Sequence, residues 1–404
     1  MTGPRRVLFL TSNYPRWAGD TTTPFVHDLA VDLAALGCQV EVLAPHAPGA
    51  ARSEVLDGVP VHRFRYARPE SAQTVCYGGG ALVNIAAPSI LAKVPLLVAA
   101  EWAATAWSLR RRFDVLHAHW ILPQGFVAAA SPRFGAARVI TAHGGDVFGL
   151  RGALLDRFAR RALESADAVT VNSQATASAV AELAPAADVS LIPTGTDTAG
   201  RPDPGTVDRL RATYTPDGAP LLVFLGRIVA DKGVDDLLEC AALLVGGGIA
   251  VRVAVVGTGQ HLGAARRLAA ELGIADRVAF PGWAAPADVA SWFTAADVVL
   301  APSRIGAGGW QEGQGLAIIE AMSVGRPVVS TRTGGIPETI EDGVSGILVE
   351  QRRPDELAAA VRGLLAEPDR AAAMGARARL SVAHRFSRAA AADRFAELYA
   401  RVAP

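Results

Sequence analysis

The run 303–335, SRIGAGGWQEGQGLAIIEAMSVGRPVVSTRTGG, leaves little freedom in what it can become. Apolar, strand-like runs bound it at 298–301 and 327–331. Between them lie a glycine-rich loop, Glu312, Gly313, Gly315, an apolar helical run and Glu320. Leu316, Ile319, Ala321 and Met322 fit a helix that opens near Gly315. A helix start after such a loop offers backbone N–H groups and the positive end of the helix dipole, a setting suited to phosphate. Either acid alone would be read as a solvated surface carboxylate. Two carboxylates near one anion-binding helix start suit a ligand that carries both hydroxyls and phosphates.

The rest of the chain supports two α/β domains. Its 404 residues allow two domains of ordinary size. Strands are expected at 6–12, 39–44, 59–64, 115–118, 138–142, 168–172 and 189–192, alternating with helices as in a doubly wound parallel sheet. A Pro/Gly/Thr-rich stretch at 192–205 reads as a linker or hinge. The alternation then restarts, with strands expected at 221–225, 251–256, 278–280, 298–301, 327–331 and 346–349. Acids and bases balance at 39 each, so no global field favours nucleic acid. Cys38, Cys76 and Cys240 are scattered and odd in number, against a disulfide or zinc framework. No apolar leader precedes the strand entered by Val7, so no signal peptide is expected and the expected location is cytoplasmic.

Chemistry-bearing residues gather at strand ends, where an open α/β sheet binds ligands. Gly19 lies in the loop after the first strand and allows close backbone approach. His117, His119 and Trp120 end another strand and are expected to point into the crevice. Two histidines without further ligands at metal spacing do not make a zinc site. His143 ends the next strand, followed by Gly144, Gly145 and Asp146; its imidazole could reach sugar hydroxyls, or could be a capping or core histidine. In the second half, Arg227 and Lys232 follow a strand end and suit a diphosphate. Lys232 is one of only two lysines, with Lys93, in a chain whose other bases are arginines. Gly257 and Gly259 follow the next strand in a G-x-G-x-x-x-G pattern. That spacing, and the lack of an acid ending the following strand, argue against nicotinamide-dinucleotide binding.

The spacing of Glu312 and Glu320 resembles the E-x7-E signature of retaining GT-B glycosyltransferases of family 4. Pro302, Ser303, Gly325, Pro327, Gly334, Gly335 and Glu338 read in the same register. The resemblance implies a GT-B α/β fold, two doubly wound Rossmann-like domains facing across a cleft. The N-terminal acceptor-side domain would span 1–198, the nucleotide-sugar domain 199–384, and a C-terminal helix, 385–404, would cross back onto the first. The implied reaction is transfer of a sugar from a nucleoside-diphosphate donor, UDP- or GDP-linked, to an acceptor hydroxyl. Retention and the absence of a catalytic metal are implied too, and no D-x-D occurs in the chain. Carried over onto this sequence, the donor set is Gly19, Arg227, Lys232, Gly257, Gly259, Gly313, Gln314, Gly315, Leu316 and Glu320. The catalytic set is His143, Glu312, Arg227 and Lys232; His117, His119, Trp120 and Asp146 lie on the acceptor side. A nucleotide-sugar epimerase or phosphorylase of the same fold, or a silent sugar-binding paralogue, are the alternatives.

The stretch 81–109 is strongly apolar, but Pro88, Lys93, Pro95 and Glu101 interrupt it. It reads either as a pair of well-buried helices or as an apolar surface beside an acceptor site. In the second case Arg110, Arg111 and Arg112 at its end, with Lys93, Trp102 and Trp107, would rest it on the inner membrane face. The acceptor is accordingly expected to be a glycan, a lipid-linked molecule or a small molecule.

Overall fold

The computed structural model describes residues 4–403 apart from 21, 79–83, 86, 150–151 and 197–199. Thr21 and parts of the 81–109 and 192–205 stretches therefore lie outside the described residues. The chain divides into two compact units: residues 1–195 with 388–404, and residues 196–387. The changes of unit fall within a few residues of 198 and 384.

In the first unit the described strands are β1 (Arg6–Leu10), β2 (Gln39–Pro45), β3 (Ser53–Leu56), β4 (Val59–Phe64), β5 (Val115–His119), β6 (Ala137–Ala142), β7 (Ala168–Val171) and β8 (Val189–Leu191). They pair in the order β3-β4-β2-β1-β5-β6-β7-β8. All these pairs are parallel except β3 with β4. Burial on both faces explains why β1 reads as an unbroken apolar run from Val7 to Leu10. Sequence reasoning missed β3, a short edge strand with polar Ser53 and Glu54. Its signal was the Asp57-Gly58 pair, which turns the hairpin with φ of 47° and 84°.

Helix α1 (Pro24–Ala35) buries Val26, Ala30 and Leu33 on this sheet. The C-terminal helix, labelled α5 below (Arg388–Val402), packs on α1 and puts Phe395, Leu398 and Tyr399 into the same core. Each such burial contributes roughly 1.5–3 kcal/mol. At its start the Arg388 guanidinium grips Asp32 at 2.7 and 2.8 Å and Asp28 at 3.2 Å. The return of the chain is thus fixed by both apolar burial and paired charge.

Helix α2 (Val94–Leu109) carries apolar side chains on both faces, with Leu97 and Leu109 buried. Its inward residues include Glu101, Thr105 and Ser108, all buried. Its outward residues include Leu96, Trp102 and Trp107, exposed by 55%, 45% and 65%. Glu101 accepts from Gln124 Nε2 at 3.0 Å, and burial pushes its carboxyl up to about 8. Expectations for this stretch need two corrections. It is not a well-buried helix pair, because Leu96, Trp102 and Trp107 are exposed on its outer side. Lys93 does not reach away toward headgroups either: its ammonium donates to Ala72 O at 3.0 Å and Thr74 Oγ1 at 3.2 Å.

The second unit carries β9 (Leu221–Leu225), β10 (Arg252–Val256), β11 (Val278–Gly282), β12 (Val298–Ala301), β13 (Val328–Thr331) and β14 (Ile347–Val349). Their order is β11-β10-β9-β12-β13-β14, with every pair parallel. Helix α3 (Val234–Gly246) follows β9 and helix α4 (Leu316–Ser323) follows β12. The order reverses between β9 and β12. Loops leaving the carboxyl ends of two such strands diverge and open a crevice, the place where open α/β sheets hold ligands. In the first unit the same reversal falls between β1 and β5.

Candidate functional site

In the second unit the switch point brings together residues far apart in sequence. Arg227 and Lys232 leave β9; Trp310 and Glu312 leave β12. The Lys232 ammonium donates to Glu312 Oε2 and lies 5.4 Å from the centroid of the Trp310 ring. It is held between a carboxylate and an aromatic face. Arg227 is exposed, and its guanidinium has no side-chain partner among the described residues. Helix α4 starts without a side-chain cap; Ile318 N donates to Gly315 O at 2.9 Å, and the N–H groups of Leu316 and Ala317 ahead of it face no capping side chain. Glu320 lies just over one turn further, half-buried, and burial raises its carboxyl to about 7.

Glycines shape this corner for steric reasons. Gly315 caps α4 at φ 80°, and a Cβ there would sit 2.9 Å from Ile318 Cδ1. A Cβ on Gly334 would come within 2.1 Å of Glu312 O, while Gly335 N donates to that same oxygen at 2.9 Å. Glu312 is therefore clamped through its backbone as well as its carboxylate. Gly313 and Gln314 are buried between these fixed points, with Gln314 O accepting from Thr339 Oγ1 at 3.0 Å; Leu316 is half-buried. Gly257 and Gly259 have a packing role. Their Cβ atoms would lie 1.8 Å from Gly226 O and 2.2 Å from Ile228 O, so the loop carrying Arg227 runs over them.

In the first unit, the strand-end residues form an aromatic stack. His143 lies 5.0 Å from Trp120 and 5.1 Å from Phe25, centroid to centroid. Its Nε2 is 3.2 Å from His119 Nδ1. A cavity of about 30 Å³ opens beside His119 and His143, lined also by Phe25, Thr141, Arg388 and Phe395. Burial pushes His143 down to about 3 and His119 well below its ordinary value, so both rings are neutral at pH 7. Gly19 lies exposed at φ 82°, in a loop fastened by the Arg16–Asp20 pair at 2.8 Å.

Two acceptor-side expectations fail here. His117 does not face a crevice. It is fully buried, with Nδ1 2.6 Å from Tyr399 Oη and Nε2 2.6 Å from Thr141 Oγ1. Both ring nitrogens are spent inside the core because β5 is a central strand and α5 closes over it. Asp146 is likewise buried, accepting from Ile121 N at 2.8 Å and His143 N at 2.9 Å. Its carboxylate fastens the His143 turn and is not left for an acceptor. Sequence reasoning missed Phe25, Trp310 and Tyr399 as site-shaping residues. Trp310, an aromatic inside a glycine-rich loop, carried a readable signal. Tyr399 lies 282 positions from His117 and carried none. Among the described residues, no three or more His, Cys, Asp or Glu side chains are grouped to hold a metal ion.

Comparison with known proteins gives the family and the fold. Residues 23–199 match the family described as Glycosyltransferase Family 4, and residues 219–367 match Glycosyl transferases group 1. A GDP-mannose-dependent alpha-(1-6)-phosphatidylinositol monomannoside mannosyltransferase of Mycobacterium tuberculosis is 30% identical over 378 residues, covering 93% of this chain and 92% of that one. A D-inositol 3-phosphate glycosyltransferase of Thermobispora bispora is 34% identical over 309 residues, 71% of this chain and 70% of that one. Among solved structures, sucrose-phosphate synthase of Thermosynechococcus elongatus superposes with a TM-score of 0.81 at 23% identity, over 98% of each chain. Anabaena HepE in complex with UDP-glucose does so at 0.75 and 20% identity, over 98% of this chain and 99% of that one. The fold is GT-B, and the chain belongs to the group 1, family 4 glycosyltransferases.

Proposed function

We propose that this glycosyltransferase moves a hexosyl group from a UDP- or GDP-linked sugar to a hydroxyl of a glycolipid or glycan precursor, with retention and without a catalytic metal. The observation that carries the reading is the fixed Lys232–Glu312 pair at the uncapped start of α4, with Arg227 unpaired nearby. A leaving diphosphate gathers negative charge, and preorganised cations and amide groups stabilise it without reorganising. Arg227, Lys232 and the first turn of α4 fill that role. Glu312 keeps Lys232 in place through Oε2 and offers its other carboxylate oxygen to the sugar hydroxyls, Glu320 accepts from the ribose, and His143 meets the transferred sugar near its anomeric carbon. The bond from that carbon to the phosphate oxygen breaks as the acceptor oxygen bonds it on the same face. The acceptor's proton passes to the departing phosphate oxygen, so no protein nucleophile is needed.

The names of the two relatives make acceptors bearing phosphorylated inositol the first to test. An amphiphilic acceptor at the inner membrane face also suits the outward apolar face of α2. Beside that helix a groove of about 590 Å³ is lined by Arg52, Arg65, Arg68, Tyr66 and Leu96. Arg110 and Arg112 are exposed at the helix end, whereas Arg111 is occupied by Glu41 at 2.9 Å.

A thermal-shift screen of UDP- and GDP-sugars tests the donor. One at a hundredfold excess over its Kd stabilises by about 2.7 kcal/mol through mass action. A flat response across the whole panel would refute the donor assignment.

A further inference from the structure

The geometry points to His119 as a positioning residue that fixes the tautomer of His143, so that His143 offers an Nδ1–H donor to the donor sugar and cannot act as a base there. This inference rests on the reading that His143 meets the sugar.

One proton lies between the two rings. His119 Nδ1 and His143 Nε2 are 3.2 Å apart, and the ring planes lie within 15° of parallel, so one nitrogen donates to the other. Both imidazoles are neutral, so each carries a single N–H. The unused nitrogen of His119 decides the direction. His119 Nε2 is buried and has no hydrogen-bond partner among the described residues. Its ring is walled by Phe9 at 4.7 Å, His117 at 4.3 Å and Trp120 at 6.3 Å, centroid to centroid. Were His143 the donor, His119 would carry its proton on Nε2, an orphaned buried N–H. Such donors are rarer and costlier in proteins than a lone pair left bare. With His119 donating from Nδ1, only a lone pair is left among the aromatic rings. His143 must then hold its own proton on Nδ1.

The arrangement is anchored from below. Tyr399 on α5 and Thr141 on β6 occupy both nitrogens of His117, which is packed against His119. Asp146 and Asn172 hold the backbone of His143 from the other side, through its N–H at 2.9 Å and its carbonyl at 3.4 Å. The backbone that carries the His143 ring is thus held on both sides. A fixed donor at this strand end aligns a sugar oxygen; it has no lone pair with which to take the acceptor's proton. That proton is left to the departing phosphate.

Histidine-selective ¹⁵N labelling of the full chain tests this without substrate. The His143 signals are assigned by their loss in His143→Gln. The expected spectrum shows the His143 proton bonded to Nδ1. His119→Asn keeps an N–H at the Nδ1 place and should preserve that pattern, with kcat within about threefold of wild type. His119→Leu removes the donor. It should move the His143 proton to Nε2 in part or whole and lower kcat at least tenfold, as loss of one preorganised hydrogen-bond donor does. KM for the nucleotide sugar should change less than about threefold. A wild-type His143 protonated on Nε2, or wild-type kcat in a folded His119→Leu protein, would overturn the inference. Adding GDP-mannose and UDP-glucose in turn separates it from the reading beneath it. If a sugar nucleotide binds but leaves the His143 signals unmoved, the sugar-contact reading fails while the tautomer assignment stands.

Discussion

The corner built on β9, β12 and α4 and the histidine stack on β5 and β6 are both strand-end sites, yet they are made rigid by different means. The first is held by backbone. Gly257, Gly259, Gly315 and Gly334 are glycine because another backbone or a left-handed φ leaves no room for a Cβ, and the functional side chains stand on the loops so fixed. The second is held by buried side chains. Tyr399 satisfies His117, His117 packs on His119, and His119 and Asp146 in turn hold His143, whose imidazole is half-exposed. Backbone fixation leaves a local trace, a glycine at a set distance from an acid or a base. Side-chain fixation across 282 positions leaves none.

If that contrast is right, substitutions in the first corner act on chemistry and those deep in the stack act on stability. The largest effect should come from Lys232→Ala. It removes a charge from beside the leaving diphosphate without touching a core, and kcat/KM should fall about a hundredfold or more with Tm little changed. A loss under tenfold, about 1.4 kcal/mol, would remove Lys232 from the diphosphate site.

Glu320 should act on binding through pH. Its folded value of about 7 stands above the ordinary 4.5, so the folded state holds the extra proton between those values. Stability contributed by this group is therefore present below about pH 4.5, is lost as pH rises toward 7, and is flat above. The carboxylate form is the one that accepts from ribose hydroxyls, so nucleotide affinity should rise severalfold from pH 6 to pH 8. Isothermal titration of the wild type and Glu320→Gln at both values checks this; equal slopes would show that another group titrates.

Tyr399→Phe probes the opposite side of the comparison. It strands His117 Nδ1 in the core and should cost about 1–3 kcal/mol. That is a Tm drop of several degrees, with kcat/KM within threefold. A large loss of activity in a protein of normal Tm would mean that Tyr399 acts on the reaction itself.

The smallest effect belongs to the surface of α2. Co-sedimentation with anionic vesicles should be weakened by added salt and by Arg110→Glu with Arg112→Glu, each charge being worth about 1 kcal/mol near such a surface. Binding that is the same to neutral and anionic vesicles would leave only the apolar face at work.

Much of the fold was legible because parallel strands buried on both faces read as apolar runs, and β9 and β12 begin and end where those runs do. The β9–β12 corner was legible because Gly315 and Glu312 mark its loop. What stayed hidden has physical reasons. β3 is too short and polar to show a pattern. His117 sits at a strand end like His143, and nothing local says that α5 covers it. The outward exposure of Leu96, Trp102 and Trp107 on α2 cannot be read from composition, since the same residues could bury one another.

The central claim is that Arg227, Lys232 and the α4 start do the work that a metal does in other sugar transferases. The direct measurement is the rate of transfer from the donor identified by thermal shift, in excess chelator, with the anomeric configuration of the product read by NMR. The account predicts an undiminished rate and a product with the configuration of the donor. Loss of transfer that magnesium or manganese restores, or an inverted product, would contradict it.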